Sequence, residues 1–207
     1  MEKPVRLYLV RHGQTALNRD DRFRGLTDAP LTELGRLEAA GAGAALDGSG
    51  LSVIHSSPLP RALETSRIIA DLRGSRVEPD ESFTDIDYGE WQGLNLEEVA
   101  EKSGPRMLEF WKRDPAAFVF PGGDSMRSVR ERLGPALKRV LGAGDDSVAV
   151  VSHLAVLKVC FLVAMELPFE YFWKIGLGNG SVSLFTHTRE GGFVLEWWNR
   201  APGVAPD

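Results

Sequence analysis

The sequence predicts an α/β fold, a three-layer α/β/α sandwich with a mostly parallel central sheet. Short apolar runs that are typical of buried strands recur along the chain, and longer segments with helix start signals separate them. Strands that alternate with helices in this way form a sheet that is covered by helices on both faces. The length of 207 residues predicts one domain over residues 1–207.

Six strands are predicted, most of them from short apolar runs. They cover residues 5–10, 51–55, 76–78, 147–151, 181–186 and 193–198. The first run is apolar apart from Arg6, and such a run is typical of a strand buried in a parallel sheet. Residues 11–30, which follow it, are expected to form a loop.

Five helices are predicted from their start signals. They cover residues 33–46, 60–72, 95–102, 126–141 and 154–165. Thr32, Asn95 and Ser125 have side chains that cap helix N-termini, and Pro60 suits the first turn of a helix. Residues 88–124 are expected to form a small cap or insert over a site, because their second half is rich in aromatic residues, proline and glycine.

Composition excludes several classes of partner. The formal net charge of −5 argues against nucleic acids and anionic membranes as partners. The single cysteine, Cys160, lies in an apolar stretch, which favours a buried structural thiol and a reducing compartment. Residues 154–165 are too short for a membrane span and contain Lys158, and the first apolar run is too short for a signal peptide. We therefore expect a cytoplasmic protein.

Basic side chains follow three of the predicted strands. Arg11 and His12 come directly after the first strand, Arg61 follows the second, and His153 follows the strand at residues 147–151. In parallel sheets, ligands bind at the carboxyl ends of the strands. If the three strands are neighbours, two arginines and two histidines meet at one point. Such a cluster predicts a pocket for a dianionic phosphoryl group, because the planar guanidinium binds phosphate oxygens in pairs.

Five short motifs occur in a fixed order along the chain. They are Arg-His-Gly-Gln-Thr at residues 11–15 with Asn18, Ser-Pro-Leu-Pro-Arg-Ala at 57–62 with Thr65, the segment 85–93, Pro-Gly-Gly-Asp-Ser at 121–125, and Val-Val-Ser-His at 150–153. Their order and spacing resemble the histidine phosphatase superfamily, which has the phosphoglycerate mutase-like fold. The resemblance extends from about residue 5 to residue 199.

The resemblance implies roles for the clustered residues. His12 would be the nucleophile that becomes a phosphohistidine. Arg11, Arg61 and His153 would hold the phosphoryl oxygens, with Asn18 as a neutral donor. His12 would have to be neutral in order to attack, whereas His153 is expected to be protonated. No metal or other cofactor is expected, because these side chains supply the positive charge.

Two positions depart from the family pattern. Asp85 stands where the family commonly has a glutamate as general acid, and an aspartate is one methylene shorter. Three other carboxylates, Asp87, Glu90 and Asp124, stay open as alternatives for the acid. Leu154 follows the second histidine, where the family often has glycine, and its bulk could narrow the pocket.

Further substrate contacts are expected from the loop at residues 11–30. Gln14 and Thr15 belong to the first motif, and Leu154 lies beside the second histidine. The arginines further along this loop can form a solvated surface, but Arg22 is the one that we expect to contact substrate. Aromatic residues at 107–120 could shelter an apolar or ring-bearing leaving group.

The resemblance implies a metal-independent phosphomonoesterase that hydrolyses small-molecule phosphate esters, and α-ribazole-5'-phosphate is one candidate substrate. Two alternatives stay open, a phosphoglycerate mutase and a non-catalytic phosphate-binding protein. Gln14 and Thr15 stand where such mutases usually have Glu-Ser, and the segment between Gly93 and Pro121 is short, which favours hydrolysis. An exposed late strand favours a homodimer as the assembly.

Overall fold

A six-stranded sheet forms the centre of the computed structural model, which describes residues 3–188 and 190–201. The strands are β1 Val5–Arg11, β2 Val53–Ser56, β3 Arg76–Pro79, β4 Ser147–Ser152, β5 Val182–Thr188 and β6 Gly192–Arg200. Their order in the sheet is β3-β2-β4-β1-β5-β6. The pairs β3–β2, β2–β4 and β4–β1 are parallel, whereas β1–β5 and β5–β6 are antiparallel. The predicted mostly parallel sheet, flanked by helices, is confirmed.

The α-helices are α1 Ala16–Arg19, α2 Glu33–Ala45, α3 Pro60–Arg73, α4 Leu96–Ser103, α5 Pro105–Arg113, α6 Met126–Leu141 and α7 Leu154–Ala164. The predicted caps are confirmed: the side chains of Thr32, Asn95 and Ser125 each accept a hydrogen bond from a backbone N–H of the first turn. The elements that were not predicted are α1 within the loop, α5, and 3₁₀-helices at Glu81–Phe83, Gly89–Trp91 and Phe169–Lys174.

Two apolar cores lie against the sheet. Leu7 and Leu9 of β1 belong to the larger core, whereas Tyr8 and Val10 belong to the smaller one. Successive side chains of a strand point to opposite faces, so this division places one core on each face of β1. The larger core includes the buried faces of α6 and α7, and the smaller one includes residues of α2 and α3.

The segment at residues 88–124 contains the predicted helix α4 and a further helix, α5, which was not predicted. Trp91, Trp111, Phe118 and Phe120 pack against one another with ring centroids 5.0 to 5.7 Å apart. All four are buried in the larger core. Edge-to-face contacts between large rings stabilise this segment without a strand of its own.

The strand β6 forms one edge of the sheet. An exposed strand edge can pair with a second copy, and a homodimer stays a prediction. None of the described helices is long and apolar enough to cross a membrane. The proline- and glycine-containing end of the chain at 202–207 lies outside the described residues.

Candidate active site

Three carboxyl strand ends lie side by side in the sheet. Because β4 is placed between β1 and β2, Arg11 is paired with Ser152, and Ser56 with Val151. Beyond the strands, the His12 N–H donates to the Ser152 carbonyl over 3.0 Å. The structure therefore brings the first histidine, the second histidine and the start of α3 to one point, as the sequence predicts.

The His12 side chain is completely buried, and its ring centroid lies 5.1 Å from that of His153. His12 Nδ1 lies 2.7 Å from the Gly13 carbonyl oxygen, which can only accept a hydrogen bond. The ring proton is therefore on Nδ1. His12 Nε2 is buried and has no hydrogen-bond partner. Its lone pair is directed to no other protein group.

Electrostatics keep His12 neutral. Burial lowers its pKa well below the usual value of 6.5, and the guanidinium groups of Arg61, Arg11 and Arg24 lower it further. A neutral imidazole with the proton on Nδ1 has a nucleophilic Nε2. This is the protonation state that attack on phosphorus requires.

His153 caps α7 and is also buried. Its Nε2 is hydrogen-bonded to Ser57 Oγ at 2.7 Å, and its Nδ1 lies 3.6 Å from Asp85 Oδ2. Burial and the charge of Arg61 lower the pKa of His153 well below 6.5. This shift favours a neutral His153 in the free protein, in contrast to the expected protonated form, because burial disfavours the charged imidazole.

Arg61 is completely buried at the start of α3. Its Nη2 donates to Asp85 Oδ2 over 3.1 Å and to the Gly25 carbonyl over 2.7 Å, and its Nη1 donates to the Thr27 carbonyl over 3.1 Å. Arg61 Nε is buried with no partner. The guanidinium is thus held by the protein and keeps one donor unsatisfied.

Asp85 is 4% exposed, and its Oδ1 accepts the Ile86 N–H over 3.0 Å. Burial raises the pKa of Asp85, although Arg61 and Arg24 act in the opposite direction. A raised pKa favours the protonated carboxyl, which can donate a proton. Although an aspartate is shorter than a glutamate, Asp85 still reaches the cluster, with its Oδ2 3.6 Å from His153 Nδ1.

The three alternative carboxylates occupy turns beside this cluster. Asp87 Oδ1 accepts the Gly89 N–H over 2.8 Å, and Asp124 Oδ2 accepts the Asp87 N–H over 3.2 Å. Glu90 is exposed, with Oε2 3.5 Å from Lys102 Nζ. Among the four candidates, Asp85 is the one in contact with an arginine and a histidine of the cluster.

Arg11 and Arg24 complete the positive charge of the site. Arg11 Nη1 donates to the Leu177 carbonyl over 2.6 Å, and burial lowers the Arg11 pKa to about 10, so it stays charged at neutral pH. Arg24 lowers the pKa values of both buried histidines. Sequence reasoning missed this role, because Arg24 shares the loop with Arg19 and Arg22 and nothing local distinguishes them.

The three residues predicted around the first motif differ in their placement. Asn18 Oδ1 accepts from both the backbone N–H and the Oγ1 of Thr15, at 2.9 Å each, which leaves a buried Nδ2 without a partner. Gln14 Oε1 accepts from Thr32 Oγ1 over 3.0 Å. Thr15 and Gln14 therefore hold the loop together, and their contact with substrate stays a prediction.

A cavity of about 590 Å³ adjoins the cluster. Arg22, Arg24, Tyr88 and Leu154 are among its lining residues, so Leu154 forms part of the wall next to the second histidine. Arg22 is also bound by the protein, since its Nη1 donates to Glu98 Oε2 over 2.7 Å and to the Gly93 carbonyl over 2.6 Å. Its guanidinium reaches the cavity as part of an ion pair.

Within residues 3–188 and 190–201, no group of three or more His, Cys, Asp or Glu side chains is arranged to hold a metal ion. The donors at the strand ends are mainly guanidinium and imidazole groups. They suit an anionic oxygen and do not form a set of cation ligands.

Comparison with known families supports this interpretation. The model of the histidine phosphatase superfamily (branch 1) matches residues 7–201. The chain belongs to this superfamily. Phosphoserine phosphatase 1 of Hydrogenobacter thermophilus is 34% identical over 181 residues, which cover 87% of this chain and 85% of that protein. The superfamily member described here is a phosphoric monoester hydrolase.

Two further relatives show the range of the superfamily. The 2,3-bisphosphoglycerate-dependent phosphoglycerate mutase of Parvibaculum lavamentivorans is 32% identical over 201 residues, covering 92% of this chain and 94% of that protein. The α-ribazole phosphatase structure from Shigella flexneri superposes with a TM-score of 0.86 over 98% of this chain and all of that one, at 23% identity. At this identity, the likeness shows the fold alone.

Proposed function

We propose that this superfamily member is a metal-independent phosphomonoesterase, which hydrolyses small-molecule phosphate esters through a phosphohistidine at His12. One observation carries the proposal: His12 Nε2 is buried without a hydrogen-bond partner, while Nδ1 donates to the Gly13 carbonyl over 2.7 Å. A buried polar atom without a partner is costly, so this free nitrogen beside two buried arginines is explained by a bound anion.

In the first step, His12 Nε2 donates its lone pair to phosphorus, and the bond between phosphorus and the ester oxygen breaks. The departing oxygen takes the proton of Asp85 and leaves as an alcohol. The phosphoryl group is then bonded to Nε2, and the positive charge of the ring is stabilised by the hydrogen bond to Gly13.

In the second step, the Asp85 carboxylate accepts a proton from water as the water oxygen bonds to phosphorus. The bond between phosphorus and Nε2 breaks, so inorganic phosphate leaves and His12 is neutral again. Asp85 regains its proton in this step and is ready for the next ester. The raised pKa of Asp85 supports both roles, because the carboxyl must alternate between acid and base.

Charge on the phosphoryl oxygens is balanced by the protein's own donors. Arg11 Nε, Arg61 Nε and Asn18 Nδ2 are buried and have no partner in the free protein. Donors that are buried and unsatisfied in the free protein are available to bind the oxygens, and preorganised donors stabilise a transition state strongly. The proposed mechanism therefore needs no metal ion.

Two substrate candidates follow from the known relatives. α-Ribazole-5'-phosphate is the first, supported by the aromatic residues of the cavity wall, and phosphoserine is the second, since a relative is named for it. Phosphoglycerate mutase activity is a second candidate function, because a relative of similar identity carries that name. In a mutase, the phosphoryl group on His12 would return to a retained intermediate instead of to water.

We place this reaction in the cytoplasm, with a small phosphomonoester as the partner and neither nucleic acid nor membrane. Support comes from the net charge of −5 and from the single cysteine of the chain. A fluorescent fusion in the native cells tests this location: signal confined to the cytoplasm is expected, and signal outside it would contradict the proposal.

The decisive experiment measures phosphate release in excess EDTA from an aryl phosphate, α-ribazole-5'-phosphate, phosphoserine and both phosphoglycerates. Release that persists in EDTA and disappears in His12→Ala supports the proposal. His187→Ala is the control, since this histidine lies on β5 outside the cluster. Interconversion of the phosphoglycerates without free phosphate would indicate a mutase. Binding of phosphate analogues without any turnover would indicate a binding protein.

A further inference from the structure

Lys158 is a buried lysine in the wall of the 590 Å³ cavity. It is 8% exposed and lies on α7, whose other residues are apolar. Its Nζ lies 4.8 Å from the ring centroid of Phe172 and 5.4 Å from that of Trp173. These contacts orient the ammonium group toward two aromatic faces but supply no full negative charge.

No carboxylate forms an ion pair with Lys158 in the part of the chain that the structure describes. Burying an ammonium group without a counter-charge is costly, and proteins rarely do so without a function. Burial, and to a smaller extent Arg11, lower the pKa of Lys158 to about 8, so the side chain is mostly protonated at neutral pH. The cavity therefore holds a cation that lacks an anion.

The other cations of the cavity are accounted for. Arg22 is paired with Glu98, and Lys112 is exposed to solvent. Arg24 is half-buried, its Nη1 donates to the Arg22 carbonyl over 3.3 Å, and its charge acts on the catalytic histidines. Lys158 is thus the buried cation that remains for a ligand on this side of the cavity.

The position of Lys158 relative to the reacting atoms follows from α7. His153 caps this helix, and Leu154 and Lys158 are four residues apart, so both lie on the same face and line the cavity. Five residues of helix place Lys158 about 7.5 Å along the axis from His153. A group held by Lys158 would therefore lie in the cavity beside the catalytic cluster.

We propose that this cavity binds the leaving group and that Lys158 binds a carboxylate carried by it, so that the preferred substrates are phosphomonoesters of small hydroxy acids. The inference rests on the proposed phosphatase function. A carboxylate fits better than a second phosphoryl group, because an ammonium is a single point charge and the guanidinium of Arg22 is already paired. Trp111 and Phe172 would pack against the carbon skeleton.

The test compares two esters with the same three-carbon skeleton, 3-phosphoglycerate, which has a carboxylate, and glycerol 3-phosphate, which has none. The wild-type protein should favour 3-phosphoglycerate in kcat/KM by about 10- to 100-fold, the range of a charge-assisted contact. Lys158→Met should remove most of this preference, chiefly through KM, because the contact is the same in ground and transition state. Lys158→Arg should retain part of it.

Lys174→Met is the matched control, because Lys174 is exposed and also lies over an aromatic ring, 4.8 Å from the centroid of Tyr171. It should leave the preference between the two esters intact. An equal loss for both esters in Lys158→Met, or no wild-type preference for the carboxylate, would overturn the proposal. Circular dichroism confirms that each variant is folded.

Binding of the two esters to the His12→Ala variant tests the carboxylate site independently of the proposed phosphatase function. Calorimetric titration with each ester should show the same preference for 3-phosphoglycerate, and the double variant His12→Ala/Lys158→Met should lose it. If turnover is absent but this binding preference is found, the phosphatase proposal fails and the carboxylate site stands. If turnover is found but Lys158→Met does not change the preference, the phosphatase proposal stands and the carboxylate site fails.

Discussion

Arg61 Nη2 and Asp85 Oδ2 lie 3.1 Å apart, with both side chains almost completely excluded from solvent. The pair links the guanidinium that is proposed to bind the phosphoryl group to the proposed acid. Breaking a buried pair by removing one partner leaves an uncompensated charge. The protonation state of Asp85 and the charge at the nucleophile are therefore coupled.

Asp85→Asn should remove the acid while keeping the shape and one hydrogen-bond acceptor for Arg61. For esters of alkyl alcohols, which need a proton to leave, kcat should fall about 100- to 10,000-fold. For p-nitrophenyl phosphate, whose leaving group is already a weak base, the fall should be much smaller. Steady-state kinetics on one alkyl and one aryl phosphate measures the difference.

Asp87→Asn is the control for this substitution, because an asparagine oxygen can still accept the Gly89 N–H that the carboxylate accepts now. It should affect both esters equally and weakly. If Asp85→Asn lowered the rates of both esters by the same factor, Asp85 would be holding the site together and not donating a proton.

The pH dependence of kcat/KM should reflect His12 and Asp85. The active form has a neutral His12 and a protonated Asp85, so the rate rises as His12 loses its proton and falls as Asp85 loses its own. Burial lowers the first pKa well below 6.5 and raises the second above 3.8. The lowered pKa of His12 extends activity to lower pH, and the raised pKa of Asp85 extends it to higher pH, so we expect a bell-shaped profile with an acidic optimum.

The Asp85→Asn variant separates the enzyme's titration from that of the substrate. Its profile should lose the part of the alkaline limb that Asp85 causes and keep the part that comes from the phosphate ester, whose second pKa is about 6. A wild-type rate that rose steadily into the alkaline range would contradict both assignments.

The catalytic cluster could be predicted because it depends on strand ends. Arg11, His12 and His153 follow apolar runs directly, and Arg61 follows the second strand after five residues. Their positions at the strand ends therefore follow from their positions along the chain. The prediction required the three strands to be neighbours, and in the structure β4 lies between β1 and β2.

Residues that act across the fold could not be found in this way. Ser57 orients the second histidine through a hydrogen bond of 2.7 Å, and Arg24 acts from a loop whose course no local pattern determines. Lys158 interrupts an apolar segment. From the sequence alone, this charge served only as an argument against a membrane span. Its isolation from carboxylates depends on which elements pack around α7.

Gly35 shows how closely α2 approaches the loop that carries His12. A Cβ atom on Gly35 would lie 2.1 Å from the Gln14 carbonyl oxygen. At this distance the two atoms clash, so the backbone would have to move. Gly35→Ala should therefore destabilise the protein by about 1–3 kcal/mol, as overpacking does, and lower kcat/KM by displacing the loop. Urea unfolding and kinetics on one ester measure the two effects.

Gly134→Ala is the matched control for Gly35→Ala, since it lies inside α6 and an added Cβ would meet no atom within 4 Å. It should change the free energy of unfolding by less than about 1 kcal/mol, because the following Pro135 opposes the gain in helix propensity, and it should leave activity unchanged. A loss of stability in Gly134→Ala as large as that in Gly35→Ala would show that steric contact at the loop is not the cause.

Arg132 of α6 is expected to position Asp85. Its Nη2 donates to the Thr84 carbonyl over 2.6 Å and to the Asp85 carbonyl over 3.3 Å, and its Nη1 donates to the Glu81 carbonyl over 3.2 Å. Arg132→Met removes these donors and keeps an apolar stem. The acid should then be misplaced, so kcat for an alkyl phosphate should fall by about tenfold or more, and the aryl phosphate should be less affected.

Arg130→Met is the control for Arg132→Met, because Arg130 lies on the same helix and donates to the Leu167 carbonyl over 3.2 Å, away from Asp85. A general effect on α6 would lower stability in both variants and leave the ratio of alkyl to aryl rates unchanged. A change of that ratio in Arg132→Met alone, with an altered alkaline limb of the pH profile, would identify the contact with the acid segment as the cause. Equal ratios in both variants would assign Arg132 a purely structural role.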